Sequence, residues 1–69
     1  MQKLSARNQL KGTVTDIKTG ATTSHVLIDI GGGVTVTASI TNDAVTDLGL
    51  KKGDAAWAVI KASDVMVGK

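Results

Sequence analysis

Two short stretches hold the side chains best suited to chemistry. In Ser5-Ala6-Arg7-Asn8-Gln9-Leu10-Lys11-Gly12, a hydroxyl, successive backbone N–H groups and a guanidinium fall within three residues, Ser5, Ala6 and Arg7. Such a cluster can clasp a tetrahedral oxyanion through charge-assisted hydrogen bonds. Read without a ligand, it is a polar lead-in to a strand. The second stretch is Lys61, which ends the apolar run Trp57-Ala58-Val59-Ile60. A lysine there can carry its charge to a subunit boundary while its stem stays packed. Neither stretch makes a site by itself.

The remaining reactive residue types point away from catalysis. There is one histidine and no cysteine, and no pair of carboxylates at a recognisable spacing. His25 falls on the polar face of an alternating segment and has no second ligand nearby in sequence, so it reads as a surface or interface histidine, not a metal or catalytic one. Gly31-Gly32-Gly33 lacks the GxxxxGK[ST] pattern of a phosphate loop and joins two strands instead of opening a helix, which makes it a hairpin turn. Single-stranded nucleic acid needs aromatic stacking platforms and a basic groove. One tryptophan, Trp57, and a net charge of +2 supply neither. Trp57 reads as a core or interface filler.

Short strands and one helix must position these groups. Asn8 to Ile17 reads as a first strand, in which Leu10, Gly12 and Val14 share a face and Ile17 breaks the period, implying a bulge or strong coil. Lys18-Thr19-Gly20 punctuates it. Ser24 to Ile30 is a second strand, with Val26, Ile28 and Ile30 on one face and His25, Leu27 and Asp29 on the other. Val34 to Ile40 is a third, with Val34, Val36, Ala38 and Ile40 inward and Thr35, Thr37 and Ser39 outward. Thr41 or Asn42 can cap a short helix running to about Leu48, with Asp43 in its first turn and Gly49 as a left-handed terminator. Val45 and Leu48 would point at the core. Lys51-Lys52-Gly53-Asp54 is a turn, Ala55 to Lys61 a fourth strand, and Val65-Met66-Val67 a short fifth. Three strands, a helix and two strands is the element order of a five-stranded OB-fold-like barrel, all-β with one short helix. A five-strand SH3-like barrel lacks a comparable helix before its fourth strand.

Composition sets the scale. The chain has 69 residues, 42% hydrophobic and 20% charged, which predicts one ordered domain over 1–69. Its apolar runs are too short for a membrane span. No cationic region followed by an apolar one opens it, so secretion through a signal peptide is not expected. The absence of cysteine fits a reducing cytoplasm. Phe and Tyr are absent, so the core must be built from small aliphatic residues. A domain this small is marginal alone. With no disulfide and no metal staple, association is the remaining support, and an oligomer is expected on that ground.

The chain resembles the molbindin family, the small molybdate-binding Mop proteins, along essentially its whole length. The resemblance is carried by Ser5 to Gly12, the glycines after Ile30, the helix exit Asp47-Leu48-Gly49-Leu50, and the ending Val59-Ile60-Lys61-Ala62-Ser63-Asp64-Val65-Met66-Val67-Gly68. The same module resembles the ligand-binding part of molybdate-responsive transcription regulators and of molybdate-importer ATPases. The resemblance implies a homohexamer, a trimer of dimers, holding molybdate or tungstate at subunit interfaces, with no organic cofactor. Ser5, Ala6 and Arg7 of one subunit and Lys61 and Ala62 of another would surround one class of oxyanion, with Thr41 and Asn42 facing the same region. The related regulators place a further hydroxyl and an arginine in the helix where this chain has Ala44 and Asp47, so those contacts do not carry over. Gly20-Ala21-Thr22-Thr23 is a candidate for a second class of site near a symmetry axis. No side chain needs to coordinate the metal, because the oxo groups are the contact surface.

Burying a dianion calls for several donors and compensating positive charge, which Arg7 and Lys61 could supply. The function expected is therefore cytoplasmic binding, storage and homeostasis of molybdate or tungstate, with no catalysis and no nucleic-acid or membrane partner. The alternatives are a nucleic-acid-binding OB module and a purely structural oligomerisation domain whose basic residues form a solvated rim.

Overall fold

A computed structural model of the chain describes residues 5–69. The elements are β1 (Asn8–Thr19), β2 (Thr23–Gly31), β3 (Val34–Thr41), α1 (Asn42–Leu48), β4 (Ala55–Ile60) and a 3-10 turn, η1 (Ala62–Asp64). The strands form one antiparallel sheet in the order β3-β2-β1-β4. The N-terminal half of β1 pairs with β4, from Asn8 opposite Ile60 to Thr13 opposite Ala55. Its C-terminal half pairs with β2, from Thr13 opposite Asp29 to Thr19 opposite Ser24. One long strand thus serves two partners in succession, and the sheet curls around it so that β2 and β4 approach each other across the inside.

The bend in β1 has a local cause. The register slips between Val14 and Asp16, the bulge that the broken period before Ile17 predicts. A bulge leaves backbone groups without ladder partners. At Val14 they are satisfied by the turn before β4: Val14 N donates to Asp54 O at 2.8 Å, and Gly53 N donates to Val14 O at 2.7 Å. The turn is braced by its own residue, since Asp54 Oδ2 accepts from Lys51 N at 2.9 Å.

The alternation in β2 holds, and that in β3 holds from Val36 onward; Val34, expected inward, is 51% exposed beside the hairpin turn, where the strand has left the core. Val26 and Ile28 are buried, and Val36, Ala38 and Ile40 pack against them. Val14, Val26, Ile28 and Ala58 form the buried centre, with Val45 and Leu50 from α1 and its exit closing one side. Thr41 caps α1, its Oγ1 accepting from Ala44 N at 3.1 Å. Gly49 ends the helix at φ 62°, ψ 34°, its N–H reaching Thr46 O. An L side chain in that left-handed region costs about 1 kcal/mol. Gly49→Ala is expected to lower stability by about that amount, read as a lowered urea midpoint at unchanged slope.

Two expectations are corrected. The sheet has four strands, not five: Val65-Met66-Val67 is extended at its start but joins no ladder, and Met66 and Val67 are 93% and 94% exposed. Three apolar residues make a strand only where an edge accepts them, and none of the described strands does. Leu48 lies on the inner side of α1 as its spacing from Val45 predicts, yet it is 68% exposed. It overhangs the gap between β3 and β4, the two edges of the sheet, where no described residue covers it. Between these edges runs an apolar groove of about 520 Å³ lined by residues such as Ile40, Leu48, Leu50, Trp57 and Val59.

Candidate functional site

The pairing of β1 with β4 determines where the basic residues go. One step beyond the last pair, Asn8 with Ile60, Arg7 continues one strand and Lys61 the other. The junction is pinned on both sides: Asn8 Nδ2 donates to Ile60 O at 3.2 Å, and Gln9 Nε2 donates to Ala6 O at 3.2 Å. The resemblance divides Ser5, Ala6 and Arg7 from Lys61 and Ala62 between two subunits. Within one chain all five already gather at the same end of the sheet, and all but Ala6 are exposed.

The geometry past Lys61 adds donors. Lys61 is extended at φ −62°, ψ 138° and precedes η1. Asp64 N donates to Lys61 O at 2.9 Å and Val65 N to Ala62 O at 3.2 Å. The first amides of such a turn, at Ala62 and Ser63, have no acceptor within it. The end therefore presents two cations, the Ser5 hydroxyl and main-chain N–H groups. The positive charges repel each other weakly in water, and an anion between them would turn that repulsion into attraction.

Thr41 and Asn42 lie at the opposite end. Thr41 pairs with Thr23, beside the Thr19 end of β1. The 12 residues of β1, bent at the bulge after Val14, lie between the two ends. Within one chain, Thr41 thus sits at the other end of the sheet from Arg7 and Lys61. The Thr41 hydroxyl accepts the Ala44 amide and keeps its own hydrogen to donate. Asn42 is engaged differently. Its Oδ1 accepts from Ser24 Oγ at 2.5 Å, its Nδ2 donates to Gly20 O at 3.0 Å, and its main-chain N donates to Thr22 O at 2.9 Å. Gly20 N donates to Thr23 O at 2.8 Å, closing the turn that contains Ala21 and Thr22. Ala44 and Asp47 follow along α1, with Asp47 exposed.

Residue-type reasoning overlooked Ser24, which is 1% exposed. The signal was present, because Ser24 shares the inward parity of Val26, Ile28 and Ile30. Also overlooked was the partner of Trp57: Lys11 lies opposite it across β1 and β4, with Nζ 5.4 Å from the ring centroid, close enough for a cation–π contact. His25 is exposed on the outer face, between Lys18 and Ser39 in register. Among the described residues no group of three or more His, Cys, Asp or Glu side chains could hold a metal ion. Gly31, Gly32 and Gly33 all have positive φ, and Asp29 Oδ1 accepts from Gly31 N at 2.8 Å, so they form the hairpin turn expected of them. No described helix is long and apolar enough to cross a membrane.

Comparison with known proteins supplies context. The TOBE domain family matches residues 4–67. Molybdenum-pterin-binding protein 3 of Clostridium pasteurianum is 50% identical over 64 residues, covering 93% of this chain and 94% of that protein. Among solved structures, a molybdate-binding protein from Sporomusa ovata superposes with a TM-score of 0.92 at 38% identity, covering 99% of this chain and 100% of that one. The cytoplasmic molybdate-binding protein ModG, in a form with molybdate bound, superposes with a TM-score of 0.90 at 51% identity, covering 94% of this chain and 46% of that one. The four-stranded curled sheet is thus the OB-like arrangement of these proteins.

Proposed function

The chain belongs to the molbindin (Mop) family of TOBE-domain proteins, and on that premise we propose that it binds molybdate or tungstate as a cytoplasmic store, acting as one domain over 1–69 and performing no chemistry on its cargo. The observation that carries this reading is the register that sets Arg7 beside Lys61 at an exposed end. Ser5, Ala6 and Ala62 add a hydroxyl and main-chain donors around the same point. A dianion held there meets about two compensating charges, which its burial requires. The Thr41–Asn42 corner lies at the other end of the sheet, so a neighbouring copy presents it.

Self-association has its own support. The buried centre is four small residues, while Leu48, Trp57, Val59, Val65, Met66 and Val67 remain exposed. Apolar surface of this kind favours association, and the assembly we propose is a homohexamer, a trimer of dimers. An ion bridging copies would stabilise it by mass action, on the order of 2.7 kcal/mol per site at a hundredfold excess over the dissociation constant.

Calorimetric titration with molybdate, tungstate, sulfate and a short single-stranded oligonucleotide tests the reading, with light scattering on the same sample. Saturable heat with the two larger oxyanions, none with the oligonucleotide and a hexamer mass are expected. Oligonucleotide binding would favour a nucleic-acid module, and a hexamer silent to every oxyanion would favour a purely structural role.

A further inference from the structure

We infer that Asn42 is a positioning residue and not a ligand: with Ser24 it forms a latch that fixes the Thr41 hydroxyl against the 20–23 turn. The inference rests on the oxyanion reading above and specifies how one corner of that site is built.

Three of Asn42's hydrogen bonds tie it to the sheet and to the 20–23 turn, its main-chain oxygen accepts a fourth from Thr46 Oγ1 at 3.2 Å, and one Nδ2 hydrogen is left over. Its side-chain oxygen takes the Ser24 hydroxyl, its side-chain nitrogen reaches Gly20 O, and its main-chain nitrogen reaches Thr22 O. The amide cannot be reversed. Gly20 O is only an acceptor, so the nitrogen must face it, and reversal would set two carbonyl oxygens together. Ser24 cannot touch a ligand, because it is buried on the inner face of β2 among Val26 and Ile28. A hydroxyl on an apolar face is unfavourable unless it is hydrogen-bonded, and its bond is the one to Asn42.

The latch therefore anchors the first residue of α1 to the sheet interior and to the β1–β2 turn at once. Thr41 is the residue before it, and Thr23, its partner in the ladder, closes the turn through Gly20. With both neighbours fixed and its oxygen accepting the Ala44 amide, the Thr41 hydroxyl oxygen is held in place, and its remaining hydrogen is offered from a fixed point. Releasing the latch would let that donor swing without removing it.

Molybdate titrations of the full chain decide the matter. Ser24→Ala and Asn42→Ala should each raise the dissociation constant by about two- to tenfold, with the light-scattering mass unchanged. Ser24→Thr, which keeps the hydroxyl, should bind like the parent chain. In a Thr41→Val background, Asn42→Ala should add nothing, because the donor it positions is gone. Should Ser24→Ala fail to fold, the Thr41→Val comparison with Asn42→Ala still decides. Full additivity there, or weakening by Asn42→Ala with none by Ser24→Ala, would make Asn42 a direct ligand and overturn the inference. Normal binding by both latch variants, with binding lost in Arg7→Ala, would overturn it while leaving the oxyanion reading standing. Unchanged affinity in Arg7→Ala and Thr41→Val as well would mean that the reading itself had failed.

Discussion

Arg7→Ala is expected to weaken molybdate binding by at least about tenfold, and the loss should be nearly as large for Lys61→Ala. A hydrogen bond to a charged group contributes about 1.5–3 kcal/mol, which corresponds to roughly ten- to more than a hundredfold in affinity. Each variant also removes one of the two positive charges that make burial of a dianion tolerable. Arg7→Lys separates the two effects. It keeps the charge but loses the planar fork that can engage two oxygens at once, so it should fall between the parent chain and Arg7→Ala. Because both residues are exposed, their contribution should shrink with added salt. Neither lies within the β1–β4 ladder, whose last pair is Asn8 with Ile60, so far-ultraviolet circular dichroism should not change. Calorimetry at two ionic strengths is the check. Parent-like affinity in both alanine variants would remove these residues from the site.

Gly12→Ala should be the most damaging single methyl in the chain. Gly12 sits opposite Ala56 in β4, where β1 passes from one partner to the other. A Cβ there would collide with the Asp29 main-chain oxygen and come within 2.8 Å of Ile28 Cγ2 and 2.9 Å of Asp29 C. A flexible side chain could yield, but the Asp29 carbonyl belongs to β2 and can move only by dragging the strand. Overpacking typically costs 1–3 kcal/mol when side chains can adjust, so a loss of about 3 kcal/mol or more is expected here. Small domains hold only about 5–15 kcal/mol in total. Urea unfolding should show a sharply lowered midpoint, and the same substitution at Gly31 or Gly32, where a Cβ meets nothing within 4 Å, should carry only the left-handed backbone penalty. A small effect at Gly12 would mean that β1 and β2 lie farther apart than described. The residue also bears on the site, because it closes the Ser5–Gly12 motif by locking that segment against the sheet.

Much of this architecture could be read from residue order, for identifiable reasons. The period of two in Val36–Ile40 fixed which side of β3 faces inward, because the core on one face of the sheet rewards one parity. Thr41 and Gly49 marked the ends of α1 through local chemistry that needs no distant partner. The failures share the opposite property. Val65-Met66-Val67 has strand-like composition, but strand formation depends on a partner edge, and sequence order does not reveal that none of the described strands offers one. Leu48 has the correct helical phase, yet phase gives direction and not cover. For the candidate site, Arg7 and Lys61 were legible as types, whereas their meeting follows from a register between residues at the two extremes of the chain. The part played by Asn42 depended on Ser24, whose inward parity was visible but whose partner was not.

The proposed site, with Arg7 and Lys61 at one end of the sheet and Thr41 at the other, would give each copy a polarity. Each is a link with a hook at one tip and an eye at the other. In a closed assembly every hook finds an eye, and bound ions at these sites equal copies in number. An open string leaves one hook and one eye idle, so its stoichiometry falls below one ion per link and approaches one only as it lengthens. The ratio of molybdenum bound at these sites to polypeptide, measured on a sample of known mass, therefore reports whether every hook has found an eye.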